Sequence, residues 1–218
     1  MTPIIELVKI DSKKSSMSRL LETGMIPKLR EFFRKFPTIQ LGNVILRDMR
    51  MNDSEAYFEY LNNPMVNQFL SDEDIPRTQQ EALECVKMWG SLFHNKQGIF
   101  WTIADVSNDR LIGSIGLSSW NFYNRRVEIS YDIAHDYWGK GIATKALSNV
   151  LKLAFNEMMV YRVEARTMEG NAASQHILNK FGFKKEGSLR GYRIIRGEPA
   201  DICMYSLIRP EYPEILLK

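Results

Sequence analysis

The run Trp138-Gly139-Lys140-Gly141-Ile142-Ala143-Thr144 is suited to holding an anion. Glycines let a backbone approach a phosphate closely, and the first N–H groups of a helix that starts there have no intrahelical partner. The helix dipole adds positive potential at the same end, so a pyrophosphate fits the position. Two other sets of polar residues flank this run. Glu128, Ser130 and Asp132 alternate with Val127, Ile129, Tyr131 and Ile133, which puts three polar side chains on one strand face. A polar face on a central strand requires either solvent or a site. Asn171 suits the N-cap of a later helix, and Ser174 lies one turn inside it.

These residues need a strand, a glycine loop and a helix to position them. The alternation supplies the strand over 127–133, and Ala143, Leu147, Val150, Leu151, Ala154, Phe155 and Met158 follow the spacing of a helix that buries one stripe. A second strand follows over 161–168, then a short helix that Asn171 caps and Gly182 ends. A Walker loop is excluded, because no GxxxxGK[ST] string occurs. A dinucleotide fingerprint would need a third glycine where Thr144 stands, and the roughly 75 residues beyond it are too few for a doubly wound sheet. A tight strand-to-helix turn without a ligand stays open on the local pattern.

As a set, the motifs resemble the GNAT superfamily of N-acetyltransferases. Trp138 to Ala143 is similar to its acetyl-CoA pyrophosphate loop, Arg/Gln-x-x-Gly-x-Gly/Ala, with Trp138 departing from the usual first residue. That departure, with Tyr161-Arg162-Val163-Glu164-Ala165-Arg166, Asn171-x-x-Ser174, Lys180-Phe181-Gly182-Phe183 and Glu186-Gly187-x-x-Arg190, resembles the RimJ/RimL-like branch of ribosomal-protein N-terminal acetyltransferases. The resemblance covers about residues 38 to 210.

The resemblance implies acetyl-CoA as cosubstrate, with no metal, and a primary amine as acceptor, such as the N-terminal α-amine of a ribosomal protein. A small amine or antibiotic acceptor and a non-catalytic acyl-CoA sensor are the alternatives. In the superfamily two central strands splay apart and the pantetheine arm lies between them, pairing with their freed backbone groups. By that analogy the splay falls between 127–133 and 161–167, and backbone near Ile133 holds the thioester and donates to its oxyanion. Trp138, Gly139, Lys140, Gly141, Ile142, Ala143 and Thr144 take the pyrophosphate, and Asn171 touches the pantetheine arm. Glu128 is the candidate base, directly or through a water; an ion pair with Arg126 or another cation is the alternative. Where many relatives carry a tyrosine acid this chain has Leu178, so Ser174 becomes the candidate proton donor, against a merely local hydrogen bond. Trp120, Phe122, Tyr123, Tyr192 and Asp201 come from segments that border the acceptor in the family.

The rest of the chain agrees with one such domain. Its 218 residues suit an α/β (α+β) GNAT fold over 38–212, a mixed, mostly antiparallel six- to seven-stranded sheet with helices on both faces, after an N-terminal extension over 1–37. The extension reads as a helix from about Met17 to Phe36, interrupted near Gly24 and Pro27. Its apolar Leu20, Leu21, Leu29, Phe32, Phe33 and Phe36 need cover, from the catalytic domain or from a homodimer. Strands are expected at 44–47 and in hairpins over 99–120 and 190–207, the second turning across Arg196-Gly197-Glu198-Pro199, and helices at 54–61 and 79–93. The polar loop around Ser71 to Pro76 is either a cover for a site or a connector.

Composition narrows the function classes. Cys85 and Cys203 form no CxxC and read as buried thiols of a reducing cytoplasm. His94, His135 and His176 lack metal-ligand spacing. No apolar run approaches membrane-spanning length, and the start MTPIIELVKID lacks a cationic signal region, so a soluble, cytoplasmic protein with no membrane partner is expected. A net charge of +3 does not argue for nucleic acid, despite basic residues at Arg30, Arg34 and Lys35 and from Lys184 to Arg196; a ribosomal partner enters only through the resemblance.

Overall fold

The structure, a computed structural model, describes residues 25–212. Helix α1 (Met25–Phe32) leads to the strands β1 (Ile39–Leu41) and β2 (Val44–Asp48), then to helices α2 (Ser54–Leu61), α3 (Pro64–Asn67) and α4 (Gln79–His94). Strands β3 (Ile99–Asp105), β4 (Leu111–Asn121) and β5 (Arg126–Ile133) precede α5 (Ile142–Asn156), β6 (Arg162–Met168) and α6 (Ala172–Lys180). Strands β7 (Lys184–Ile195) and β8 (Glu198–Ile208) follow. Among the described residues they form one eight-stranded sheet, ordered β1-β2-β3-β4-β5-β6-β8-β7. Every neighbouring pair is antiparallel except β5 with β6.

Helices cover both faces of the centre, so β3 is buried almost throughout and shows no polar alternation. On one face Leu147, Val150, Leu151, Ala154 and Phe155 of α5 share a core with Val127, Ile129 and Val163. On the other, Tyr57, Tyr60 and Val86 from α2 and α4 pack with Phe100 and Leu111. Cys203 is buried, whereas Cys85 is only half-buried, because it lies at the margin of this second core.

Helix α1 packs on the domain: Leu29 is buried in the first core, and Phe33 lies 5.1 Å from Phe93 and 5.5 Å from Trp120. Leu20, Leu21 and the start of the expected helix lie outside the described residues.

The sheet has eight strands against the expected six to seven because a three-residue edge strand, β1, hairpins onto β2. The β7–β8 turn is tighter than expected. Arg196 and Gly197 have φ of +55° and +78°, the signature of a two-residue type I′ turn, so Glu198 and Pro199 belong to β8. Pro199 is tolerated because β6 pairs with β8 only as far as Ile202.

One buried ion-pair network ties β2 to the loop before α2. Arg47 grips Asp53 through Nη1 (2.9 Å) and Nη2 (2.8 Å), its Nε reaches Asp109 at 2.7 Å, and Thr102 Oγ1 donates to Asp53 at 3.0 Å.

Candidate active site

The glycine loop is shaped for an anion. Gly139 and Gly141 both sit at φ +72°, a region that penalises side chains, and a Cβ on either would meet nothing within 4 Å. Gly141 is the N-cap of α5, and the first intrahelical bond runs from Lys145 N to Gly141 O at 3.0 Å. The N–H groups of Ile142, Ala143 and Thr144 therefore have no intrahelical acceptor, and the first turn carries no acidic side chain to compete for an anion. Ile142 is buried, so its side chain anchors the helix while its backbone faces the loop. Lys140 is exposed with Nζ 4.6 Å from the Tyr137 ring centre.

Strands β5 and β6 splay. Their parallel pairing runs from Arg126–Arg162 to Ile129–Ala165 and stops, while β5 stays paired with β4 up to Gly113–Ile133. The residues from Ser130 to Ile133 thus face those from Arg166 to Met168 across a wedge. Ala134 N donates to Ile112 O on the β4 side at 2.8 Å, so the alternation of the strand directs Ile133's backbone groups into the wedge. Trp138 Nε1 donates to Ile133 O at 2.8 Å, which fastens the loop to the strand end and leaves Ile133's N–H as the group free to serve a ligand there.

The two candidate catalytic side chains flank the wedge on opposite faces. On one, Glu128 is mostly buried and pairs with Arg166, Nη2 to Oε2 2.7 Å, while Arg126 pairs with Glu164 instead. Loss of solvent raises the Glu128 pKa, opposed by the Arg166 and Arg193 charges and assisted by those of Glu164 and Asp74. On the other face, Ser174 Oγ lies 3.1 Å from the Tyr131 hydroxyl, a contact between α6 and β5. Asn171 performs its cap, accepting from Ser174 N at 3.0 Å. Leu178 is buried in the core.

The acetyltransferase (GNAT) domain family matches residues 43–184 of this chain. The chain is a GNAT acetyltransferase. It is 33% identical over 175 residues to the uncharacterized N-acetyltransferase YoaA of Bacillus subtilis (strain 168), covering 80% of this chain and 98% of that protein. It is also similar to the [ribosomal protein uS5]-alanine N-acetyltransferase of Escherichia coli (strain K12), 29% identical over 84 residues, 38% of this chain and 43% of that one. The spermidine N(1)-acetyltransferase of the same strain is 28% identical over 100 residues, 46% of this chain and 54% of that one. Among solved structures, a probable acetyltransferase superposes with TM-score 0.73 at 26% identity, covering 81% of this chain and 99% of that one. Mycobacterium smegmatis RimJ in complex with CoA-disulfide shares the fold, with TM-score 0.71 at 20% identity over 82% and 89% of the two chains.

GNAT acetyltransferases use acetyl-CoA, and the loop and wedge of this acetyltransferase have the form that cosubstrate requires: a cradle no side chain fills and two unpaired strand edges. Among the described residues no group of three or more His, Cys, Asp and Glu could hold a metal, and no helix is long and apolar enough to cross a membrane.

The residues expected around the acceptor separate into two groups. Ser119 has φ +52° and the β4–β5 register breaks between Ser118 and Asn121, so Trp120 and Phe122 turn to the core that contains Val127 and Ile129, opposite Glu128. Tyr123 follows them, 6.3 Å from Phe122. Tyr192 stays on the side of Glu128: its hydroxyl accepts from Arg166 Nη1 at 2.9 Å, and Arg166 lies 5.4 Å from its ring centre. Asp201 accepts from Gly191 N at 2.8 Å, which fixes the bulged part of β7 that presents Tyr192.

Sequence reasoning missed Arg166 as the partner of Glu128 and Tyr131 as the partner of Ser174. Arg166 was within reach: Arg162, Glu164 and Arg166 share a face by alternation, the same test that grouped Glu128 with Ser130 and Asp132. Tyr131 carried no such signal, because on its apolar face an aromatic ring reads as core. The acidic loop docks on the β7–β8 hairpin beside this cluster. Asp72 accepts from Arg196 N at 2.7 Å and Gly197 N at 2.8 Å, Arg193 pairs with Glu73 and lies 3.4 Å from Asp74, and Ser71 Oγ donates to Ile194 O at 3.3 Å.

Asp132, on the Glu128 face, is held by Tyr60 Oη at 2.5 Å and Ser114 N at 3.0 Å. Burial pushes its pKa up to about 6 against these hydrogen bonds. A carboxyl raised in the folded state stabilises the fold at low pH, and that contribution is lost as pH rises through the folded value. The thermal midpoint of the wild type, measured relative to Asp132→Asn, is therefore expected to rise as pH falls from 7 to 5. A constant difference between the two over that range would show that Asp132 titrates normally.

Gly141→Val places a β-branched residue at positive φ in the anion cradle. It is expected to cost about 1–2 kcal/mol of stability and to weaken CoA binding by an order of magnitude or more in titration calorimetry. Unchanged CoA affinity would remove the loop from the cofactor site.

Proposed function

We propose that this acetyltransferase moves the acetyl group of acetyl-CoA to the α-amine at the N-terminus of a protein or peptide, with ribosomal proteins the first acceptors to test. The observation that carries the reading is the placement of one carboxylate and one hydroxyl pair on opposite faces of the wedge. Acetyl-CoA supplies a thioester whose carbonyl carbon the amine attacks, so that a C–N bond forms and the C–S bond breaks. Glu128 takes the ammonium proton on its own face of the sheet, making the nitrogen nucleophilic. Ile133's N–H supports the carbonyl oxygen as charge develops. Ser174, backed by Tyr131, delivers a proton to the departing sulfur on the opposite face. The first-turn N–H groups of Ile142, Ala143 and Thr144, with the loop Trp138 to Gly141, hold the pyrophosphate, and Asn171 lies beside the pantetheine arm.

An α-amine suits this base. Its pKa near 8 lies about two units or more below that of a lysine amine, so a glutamate restrained by Arg166 has less work to do. The uS5-alanine acetyltransferase among the relatives supports a ribosomal acceptor. A polyamine is the second reading, favoured by the carboxylates Glu73 and Asp74 near the site and by the spermidine acetyltransferase relative. The test is thiol release from acetyl-CoA with N-terminal peptides, lysine peptides, spermidine and aminoglycosides. Faster release with peptides that have a free N-terminus supports the proposal. Release only with spermidine, or with no acceptor despite CoA binding, refutes it.

A further inference from the structure

The carboxylate and guanidinium of Glu128 and Arg166 lie side by side, 2.7 Å apart, where the β5–β6 ladder ends and the wedge begins. The guanidinium is not fully used by the protein. Nη2 serves Glu128 and Nη1 serves Tyr192, yet Nε is buried with no acceptor among the described residues. A guanidinium has five donors in a fixed plane, and a buried donor without a partner is rare in folded proteins. The neighbouring groups do not fill this gap. Arg193 is engaged by Glu73 and Asp74, and Glu164 is taken by Arg126 and Arg162. Tyr192, 47% exposed, also holds its ring centre 5.4 Å from the Arg166 guanidinium.

We infer that Arg166 determines acceptor specificity by hydrogen-bonding the carbonyl oxygen next to the acceptor's amine, so that Glu128 and Arg166 together read an α-amino carbonyl group. In such a group the amine nitrogen and the carbonyl oxygen stand about 3 Å apart by standard bond lengths, which matches the 2.7 Å between Oε2 of Glu128 and Nη2 of Arg166. The ammonium faces Glu128, the oxygen draws the guanidinium toward itself, and the ion pair that restrains the base loosens as the acceptor arrives. A polyamine or a lysine side chain has no oxygen at that distance and leaves the ion pair intact. This inference rests on the proposed transfer to an α-amine and assigns the residue that enforces it.

The test compares two acceptors in thiol release from acetyl-CoA by the full chain: a tetrapeptide with a free N-terminus, and the same tetrapeptide with its first peptide bond replaced by a trans carbon–carbon double bond, which removes the carbonyl oxygen without adding a basic nitrogen. Rates are expressed per unprotonated α-amine, which corrects for the different fractions protonated. The wild type is expected to prefer the carbonyl-bearing peptide by about 30-fold or more in kcat/KM, since a site that hydrogen-bonds a substrate group rejects the analogue without it. In Arg166→Lys, which keeps the charge but loses the planar fork, the preference is expected to fall below about 5-fold with CoA affinity unchanged. A wild-type preference near one overturns the inference, as does a preference that Arg166→Lys leaves intact. Where Arg166→Lys does not fold, Tyr192→Phe, which removes only the Nη1 partner, must reduce the same ratio. Release with neither acceptor nor any other amine refutes the proposed function itself, an outcome distinct from release without preference.

Discussion

Glu128→Gln is expected to lower kcat by about 10²- to 10³-fold, within the range assigned to a positioned general base, while leaving the dissociation constant of CoA within about twofold. Glutamine keeps the size of the side chain and a carbonyl for Arg166 to bond, so the substitution removes the proton acceptor with little change in packing. The pH profile is the second readout. As the proposed base, Glu128 must be ionised, so wild-type turnover is expected to fall as pH drops through its pKa, which burial raises above that of an ordinary glutamate. That acid limb should vanish from the residual activity of the variant. Turnover within threefold of wild type would mean that a water or another group takes the proton.

Asp53→Ala should produce the largest loss of stability, about 3–5 kcal/mol, the usual cost of removing one partner of a buried ion pair. Arg47 is only 6% exposed at its side chain and Asp53 4%, so water cannot replace the lost carboxylate. Asp53 also accepts from Arg50 N at 2.8 Å and from Thr102 at 3.0 Å, so two further donors are stranded. Asp109 remains beside Arg47 at 2.7 Å, which keeps the effect below that of an isolated buried charge. Urea unfolding measures the change. The double variant Arg47→Met with Asp53→Leu should recover part of it, because the cost lies in the unpaired charge and not in the missing contact. A loss under about 1 kcal/mol would show that the network is solvated or rearranges freely.

Much of the frame was legible because it rests on local rules. The α2 helix was read at its observed limits, 54–61, and α4 fell one residue short. Asn171 was identified as a cap because an N-cap needs only its own side chain and the N–H three residues on. Less legible was β7, whose first residues are nearly all exposed and show no alternation, so the strand was expected at 190 and begins at Lys184. Register was invisible too. The left-handed Ser119 that turns Trp120 away from Glu128 carries no glycine or asparagine to mark it.

The sequence by itself carried the motifs that resemble the family, the glycine loop that opens α5 and the strand face that carries Glu128, because glycine positions, helix starts and two-residue alternation are properties of neighbouring residues. Tertiary structure alone decided what those groups do to one another. Glu128 and Arg166 are 38 residues apart by number, and Tyr131 and Ser174 are 43 apart; each pair meets only because β6 lies beside β5 and α6 packs over the wedge. Where the β5–β6 ladder stops is likewise set by pairing across the sheet, and that stopping point leaves two facing strand edges unpaired.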